Sequence, residues 1–255
     1  MKFSVSDKTK CKKFCSLFQL SSAICDDVNI HVSEDKIFIQ GMDPAHVCLF
    51  EVTIEKDWFE TFEMGKEEKS LVFGVKQKIF AKVLNCWKDN QTITIDNVTE
   101  DKWRILFSCD SIEKTFEMSL FDFDTELLQI PDVDYDVDTS IKSSVIQELV
   151  NEMGEFGEIV EIRCSDENIH FTTKQNINET QVENKLNVDE LESYSIVEEG
   201  NVCSEYSLPY LQNIVQFSRV SKEVEMNISN DYPLRFTYSL EGNNKICLWI
   251  SPRIE

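Results

Sequence analysis

The sequence predicts an α+β fold of two similar domains, each with two helices packed on antiparallel sheet. Two observations carry that prediction. The first is an internal repeat. Val28, Ile30 and Val32 alternate, Ser33-Glu34-Asp35-Lys36 turns, and Ile37 and Ile39 alternate again. Half the chain later Val160, Ile162 and Cys164, then Ser165-Asp166-Glu167-Asn168, then Ile169 and Phe171 do the same in register. Ile79, Phe80, Val83 and Leu84 are echoed by Tyr210, Leu211, Ile214 and Val215, and Ile93 and Ile95 by Val224 and Met226. Self-similarity at one long period means one structural unit used twice. The second observation is that helical and alternating periods take turns along the chain.

The elements follow in order. Residues 10–24 predict a first helix, with Phe14, Leu17, Phe18 and Ile24 on one face. Alternation then predicts the hairpin 28–39 and a strand over 47–54. Residues 76–87 predict a second helix, apolar at Ile79, Phe80, Val83, Leu84 and Trp87, followed by strands at 92–95 and 104–107. A third helix over 143–156 carries Val145, Ile146, Leu149, Val150 and Met153. Strand 160–164, a fourth helix over 208–217 with Tyr210, Leu211, Ile214 and Val215, and strands 223–228, 234–238 and 246–250 complete the chain. Alternation of this kind marks antiparallel sheet with one face buried. Residues 121–138 are neither helical nor alternating, carry seven acidic residues around Leu127-Leu128-Gln129-Ile130-Pro131, and sit midway. The expected organisation is an N-terminal domain 1–119, a connector 120–136 and a C-terminal domain 137–255.

Composition sets bounds on function. A chain of 255 residues suits one or two domains of roughly 100–200 residues each. No apolar run approaches the roughly 18 residues of a membrane span, and the start lacks the apolar core of a secretory signal. Nine cysteines with no C-x-x-C pair are expected as reduced thiols in an intracellular compartment. The net charge of −22, from 47 acidic and 25 basic residues, would repel nucleic acid if evenly spread. It is not: Lys8, Lys10, Lys12 and Lys13 cluster near the start, and Lys76, Lys78, Lys82 and Lys88 lie along a second segment.

Catalytic and cofactor motifs are absent. The run Asp132-Val133-Asp134-Tyr135-Asp136-Val137-Asp138 starts like a calcium loop, but Val137 stands where glycine is needed and Ser143 where the bidentate glutamate belongs. Met64-Gly65-Lys66 has no upstream glycine to make a phosphate cradle, and no G-x-S-x-G or H-E-x-x-H occurs. His31 and His170, in the repeated strands, read as strand residues facing solvent. No catalytic residue, metal or cofactor is expected.

Four motifs lie outside the repeat: Gln40-Gly41-Met42-Asp43-Pro44-Ala45-His46-Val47-Cys48-Leu49, Leu127-Leu128-Gln129-Ile130-Pro131, Asp231-Tyr232-Pro233-Leu234 and the end Ser251-Pro252-Arg253-Ile254-Glu255. In this order and spacing they resemble the eukaryotic sliding-clamp family, proliferating cell nuclear antigen, over essentially the whole chain. The resemblance implies the DNA-clamp fold, with subunits joined head to tail in a pseudo-sixfold homotrimeric ring. It implies a processivity factor of DNA replication and repair, not an enzyme, acting in the nucleus or, for a viral member, a viral replication compartment. Helices would line a channel around double-stranded DNA, contacted without regard to sequence. An acidic exterior and basic channel would account for the charge. Here the DNA contacts would be Lys10, Lys12, Lys13, Lys78, Lys82, Arg219 and Lys222.

The resemblance further implies a hollow that takes Q-x-x-aliphatic-x-x-aromatic-aromatic peptides of DNA polymerase, clamp loader and other partners. Its residues would be Met42, His46, Val47, Leu49, Leu128, Ile130, Pro131, Tyr135, Tyr232, Pro233, Pro252 and Ile254. Adjacent subunits would pair edge strands over 112–120 and 177–183, bringing in Lys114, Phe116, Met118, Ile177 and Val182. The chain also departs from the family. The third helix has no basic residue and offers Glu148, Glu152 and Glu155. Pro209 and Asn85 stand where basic residues are usual, and Asp166 where the regulatory lysine of eukaryotic clamps would fall. Two other readings remain: a clamp-fold peptide-binding hub that does not encircle DNA, and a metal nuclease using the carboxylates of 132–138.

Overall fold

The computed structural model describes residues 1–65, 69–176, 180–197 and 201–253. The chain forms two units, one of Met1–Pro44, Phe50–Leu128 and Leu240–Ile246, the other of Ala45–Leu49, Gln129–Ser239 and Cys247–Glu255. The first is built from β1 (Lys2–Val5), α1 (Lys8–Ser21), β2 (Asp27–Ser33), β3 (Lys36–Met42), β4 (Cys48–Glu55), β5 (Thr61–Glu63), β6 (Ser70–Lys76), α2 (Gln77–Leu84), β7 (Thr92–Thr99), β8 (Lys102–Cys109) and β9 (Ile112–Ser119). The second is built from β10 (Val137–Lys142), α3 (Ser143–Gly154), β11 (Gly157–Cys164), β12 (Asn168–Asn176), β13 (Glu183–Asn187), β14 (Ser193–Ile196), β15 (Val202–Ser207), α4 (Leu208–Val215), β16 (Glu223–Ile228), β17 (Leu234–Glu241) and β18 (Asn244–Ile250), except that the end of β17 and the start of β18 belong to the first unit and Cys48 and Leu49 of β4 to the second.

The two sets match element for element. Strand neighbours run β5-β1-β7-β8-β9 and β4-β3-β2-β6 in the first, β14-β10-β16-β17-β18 and β13-β12-β11-β15 in the second. Even a short 3₁₀ turn recurs, Lys56–Trp58 after β4 and Val188–Glu190 after β13. The repeat is legible in single bonds. Ser33 Oγ donates to Lys36 O at 3.2 Å across the β2–β3 turn, and Ser165 Oγ donates to Asn168 O at 3.1 Å across the β11–β12 turn.

The echoed strand residues are core. Val28, Ile30, Val32, Ile37, Ile39, Ile93 and Ile95 are buried, as are Val160, Ile162, Cys164, Ile169, Phe171, Val224 and Met226. In the first unit a ring cluster joins helices to sheet: Phe18 stacks edge-on to Phe80 at 4.7 Å, and Trp103 packs on Phe73 at 5.1 Å and Phe80 at 5.9 Å. In the second, Phe217 meets Tyr238 at 6.0 Å, and the Tyr238 hydroxyl donates to Ile214 O at 3.2 Å.

The helices differ from expectation at their ends and faces. Helix α1 starts at Lys8 because Asp7 caps it, its carboxylate accepting from Lys10 N at 2.9 Å. Ile24, read as helical, lies beyond the end but is still buried. Helix α2 ends at Leu84, where the chain tightens through Cys86 N to Val83 O and Trp87 N to Leu84 O. Ile79 is 46% exposed and Val145 38%. Adjacent residues on a helix point about 100° apart, so Phe80 and Ile146 take the buried side and their predecessors lose it. His31 is half-buried rather than solvent-facing; its ring lies 6.4 Å from Phe38, and burial lowers its pKa.

Candidate functional site

The basic helix surface of the first unit divides by what each ammonium touches. Lys8 and Lys12 share Asp89 at 2.7 and 3.3 Å, and Lys78 meets Asp26 at 2.6 Å, all exposed. Exposed pairs of this kind contribute little to stability, so a phosphate can replace the carboxylate. Lys82 is exposed and forms no ion pair among the described residues. Lys10 and Lys13 are different. Lys10 Nζ donates to Trp58 O at 2.8 Å and lies 5.4 Å over its ring. Lys13 Nζ donates to Leu240 O at 2.9 Å with its side chain 17% exposed. Those two charges are held by the unit's own carbonyls. Gln19 on α1 donates to Asn85, just past the end of α2, at 2.5 Å, so the two helices lie side by side.

In the second unit Gln147 on α3 bonds Gln216, which follows α4, at 3.2 Å. Helix α3 exposes Glu148 and Glu152, while Arg219 and Lys222 are exposed beyond α4. The carboxylates of the 132–138 run are partly engaged: Asp136 accepts from Ser229 Oγ at 2.6 Å, and Asp138 accepts from Asn227 Nδ2. Among the described residues no group of three or more His, Cys, Asp or Glu is arranged to hold a metal. The nuclease reading has no observation behind it.

The predicted peptide-site residues fall in both units. In the first, Met42 ends β3, and Leu128 is tied to Gln40 on that strand: Leu128 N donates to Gln40 Oε1 at 2.7 Å, and Gln40 Nε2 donates to Leu128 O at 2.8 Å. In the second, Tyr135 is central. Its hydroxyl donates to Pro233 O at 3.3 Å, its ring meets Tyr232 edge-on at 6.2 Å, and the Arg235 guanidinium lies 4.9 Å over it. Burial raises the Tyr135 pKa, with Arg235 opposing. Ser251 N donates to Val47 O at 3.0 Å, which fixes the chain just before Pro252, and Arg253 N donates to Glu205 O at 2.8 Å just after it. His46 sits at φ 59°, a left-handed conformation uncommon outside glycine. Leu49, Ile130 and Pro252 are partly buried and Pro131 and Tyr232 exposed. Ile254 lies outside the described residues.

The predicted assembly residues sit on one strand edge. Strand β9 is the last of its sheet, and Lys114, Phe116 and Met118 share its inward face. Phe116 packs on Phe107 at 5.6 Å, and Lys114 Nζ donates to Cys86 O at 3.0 Å. One edge of the four-stranded sheet is β13, Glu183–Asn187, so its described span starts where the expected one ended. Val182 precedes it and donates its N–H to Thr173 Oγ1 at 2.9 Å. Ile177 lies outside the described residues. Sequence reasoning missed Asp89 and Arg235 as partners. An acidic residue next to a lysine-bearing helix was a usable signal for Asp89; none existed for Arg235.

The model of the proliferating cell nuclear antigen N-terminal domain matches residues 10–136, and that of the C-terminal domain matches residues 129–253. The chain is 25% identical over 253 residues to "Probable DNA polymerase sliding clamp 2" of Paramecium bursaria Chlorella virus 1, covering 98% of this chain and 90% of that one. It is 22% identical to the "DNA polymerase sliding clamp" of Thermococcus fumicolans, over 96% of each. It is 26% identical to "Proliferating cell nuclear antigen 2" of Drosophila melanogaster, over 87% of this chain and 86% of that one. The fold matches a chain in the crystal structure of a PCNA2–PCNA3 complex from Sulfolobus tokodaii, with a TM-score of 0.88 at 18% identity and full coverage of both chains. Both domain models match, and between them they account for residues 10–253: the chain belongs to the proliferating cell nuclear antigen family.

Proposed function

We propose that this protein is a DNA sliding clamp: a closed homotrimer that encircles duplex DNA and tethers polymerase and other replication proteins to it, in a nucleus or a viral replication compartment. One observation carries the reading, namely that a two-helix, nine-strand unit occurs twice in a chain that both family domain models match. The mechanism is topological, not catalytic. A linked ring cannot leave without opening, and a tethered enzyme gains effective concentration at its template. Domains 1–119 and 137–255 are joined by the connector 120–136. Lys12, Lys78, Lys82, Arg219 and Lys222 meet the DNA backbone, with Lys10 and Lys13 held back by their carbonyl partners. Sequence independence follows, because contacts to phosphate carry no base information.

Assembly tests the ring. Light scattering is expected to give three times the 29.6 kDa chain mass. Phe116→Pro on β9 removes a ladder donor from an edge strand and is expected to yield folded monomers. A variant that stays trimeric at low micromolar concentration would put the interface elsewhere.

Partner binding tests the peptide site. A Q-x-x-aliphatic-x-x-aromatic-aromatic peptide is expected to bind with micromolar affinity, about −8 kcal/mol. Ile130→Ala and Pro252→Ala each weaken it several-fold in calorimetric titration while leaving the melting temperature in place. Unchanged affinity in both variants removes these residues from the site.

A further inference from the structure

Arg235 stands in the second unit's part of the peptide site with most of its hydrogen-bonding capacity unused. It lies on β17, where Leu234, Phe236 and Tyr238 turn into the core, so its own side chain takes the opposite, partly exposed face. One N–H of the guanidinium is committed. Nε donates to Asn227 Oδ1 at 2.9 Å, and Asn227 Nδ2 in turn donates to Asp138. The guanidinium carbon lies 4.9 Å from the centroid of the Tyr135 ring, which also meets Tyr232 edge-on. Among the described residues neither Nη of Arg235 makes a hydrogen bond, and the residue forms no ion pair. The chain has 47 acidic against 25 basic residues, yet no carboxylate pairs with this cation.

The chemistry of the group names what would fill that place. A guanidinium is planar, and its free N–H pairs match the two oxygens of a carboxylate. Asn227 on one side and the Tyr135 ring on another already fix this one, so binding costs little further rotamer freedom. The rim around it is of opposite sign: Asp132, Asp134 and Asp231 are exposed, and none pairs with Arg235. An acidic side chain is therefore repelled elsewhere on this rim and attracted only where it meets the guanidinium.

We propose that Arg235 is a specificity-determining residue of the peptide site, receiving one carboxylate from the bound partner peptide. This clamp then prefers peptides that carry a single aspartate or glutamate where they pass Tyr135. The subsite rests on the peptide-binding reading above and narrows its partner class. A partner's lysine or arginine is refused there by like charge.

The test walks one glutamate through the variable and flanking positions of a Q-x-x-aliphatic-x-x-aromatic-aromatic peptide. Each peptide has a glutamine control, and all are titrated calorimetrically against the full chain. Wild type is expected to bind one glutamate peptide several-fold more tightly than its control, with a gain that shrinks as salt rises. Glutamate at the other rim positions should weaken binding. Arg235→Gln should erase the gain while binding the glutamine control almost as wild type does. Arg235→Lys should keep part of it, because the charge stays and the planar fork is lost. A purely structural arginine would weaken both peptides alike and leave their ratio unchanged. The Arg235 Nε–H resonance gives a reading that needs no variant: it should shift further with the glutamate peptide than with its control. No position that favours glutamate, or a gain that survives Arg235→Gln, overturns the carboxylate subsite and leaves the peptide site standing. A wild type that binds none of the peptides, glutamine controls included, overturns both.

Discussion

Trp103→Ala is expected to cost about 3–5 kcal/mol, the range for deleting a large buried aromatic. Trp103 is fully buried on β8 and touches Phe3 at 6.5 Å as well as Phe73 and Phe80. Those rings come from β1, β6 and α2, so the cavity opens where both sheets and a helix of the first unit meet. Its Nε1 is buried without a partner, so part of the loss is offset by removing an unsatisfied donor. Trp103→Phe keeps most of the volume and removes that donor, and should be milder, within about 1–2 kcal/mol. Calorimetry is expected to show the first unit melting about 10 °C lower in Trp103→Ala. Val98→Ser at a half-exposed position should shift stability by no more than about 0.5 kcal/mol. Equal melting of Trp103→Ala and wild type would mean that this ring cluster does not hold the unit together.

The largest functional effect is expected from the lysines whose ammonium groups remain in solvent. Each phosphate contact steepens the salt dependence of DNA binding by about 0.9 in the log–log slope. Lys12→Ala with Lys82→Ala should therefore flatten it by about 1.8 and cut affinity at low salt by more than tenfold. Lys13→Ala should do much less, because its ammonium already serves Leu240 O and lies 3.5 Å from Glu241. Glu148→Ala should bind DNA as well as wild type or better, since it removes a like charge. Binding isotherms at several salt concentrations read these three variants and the single Lys82→Ala. If Lys13→Ala weakens binding as much as Lys82→Ala, the side chain leaves its carbonyl on binding DNA, and the division among lysines is wrong.

Much of this was legible in the chain because a half-buried sheet writes its inward face at every second residue. Val28, Ile30 and Val32 and their echoes Val160, Ile162 and Cys164 could be placed without coordinates, and all are buried. The family motifs were equally readable, because Met42–Leu49 and the 127–131 run stand apart from that alternation. Ile79 was not readable: two apolar neighbours on one helix compete for a single face, and only packing chooses Phe80. The constraint on Lys13 was hidden because its acceptor is a main-chain carbonyl in a distant segment, and every residue type carries that group.

The central claim is topological linkage, and retention on end-blocked DNA tests it most directly. The protein is threaded onto open linear duplex at low salt. Both ends are then closed with bulky protein blocks, and the complex is challenged with high salt. Phosphate contacts alone dissociate under that challenge, whereas a closed ring has no exit. The account predicts long retention on blocked DNA and rapid loss once one end is cut free. Equal and rapid loss from blocked and open DNA would contradict it.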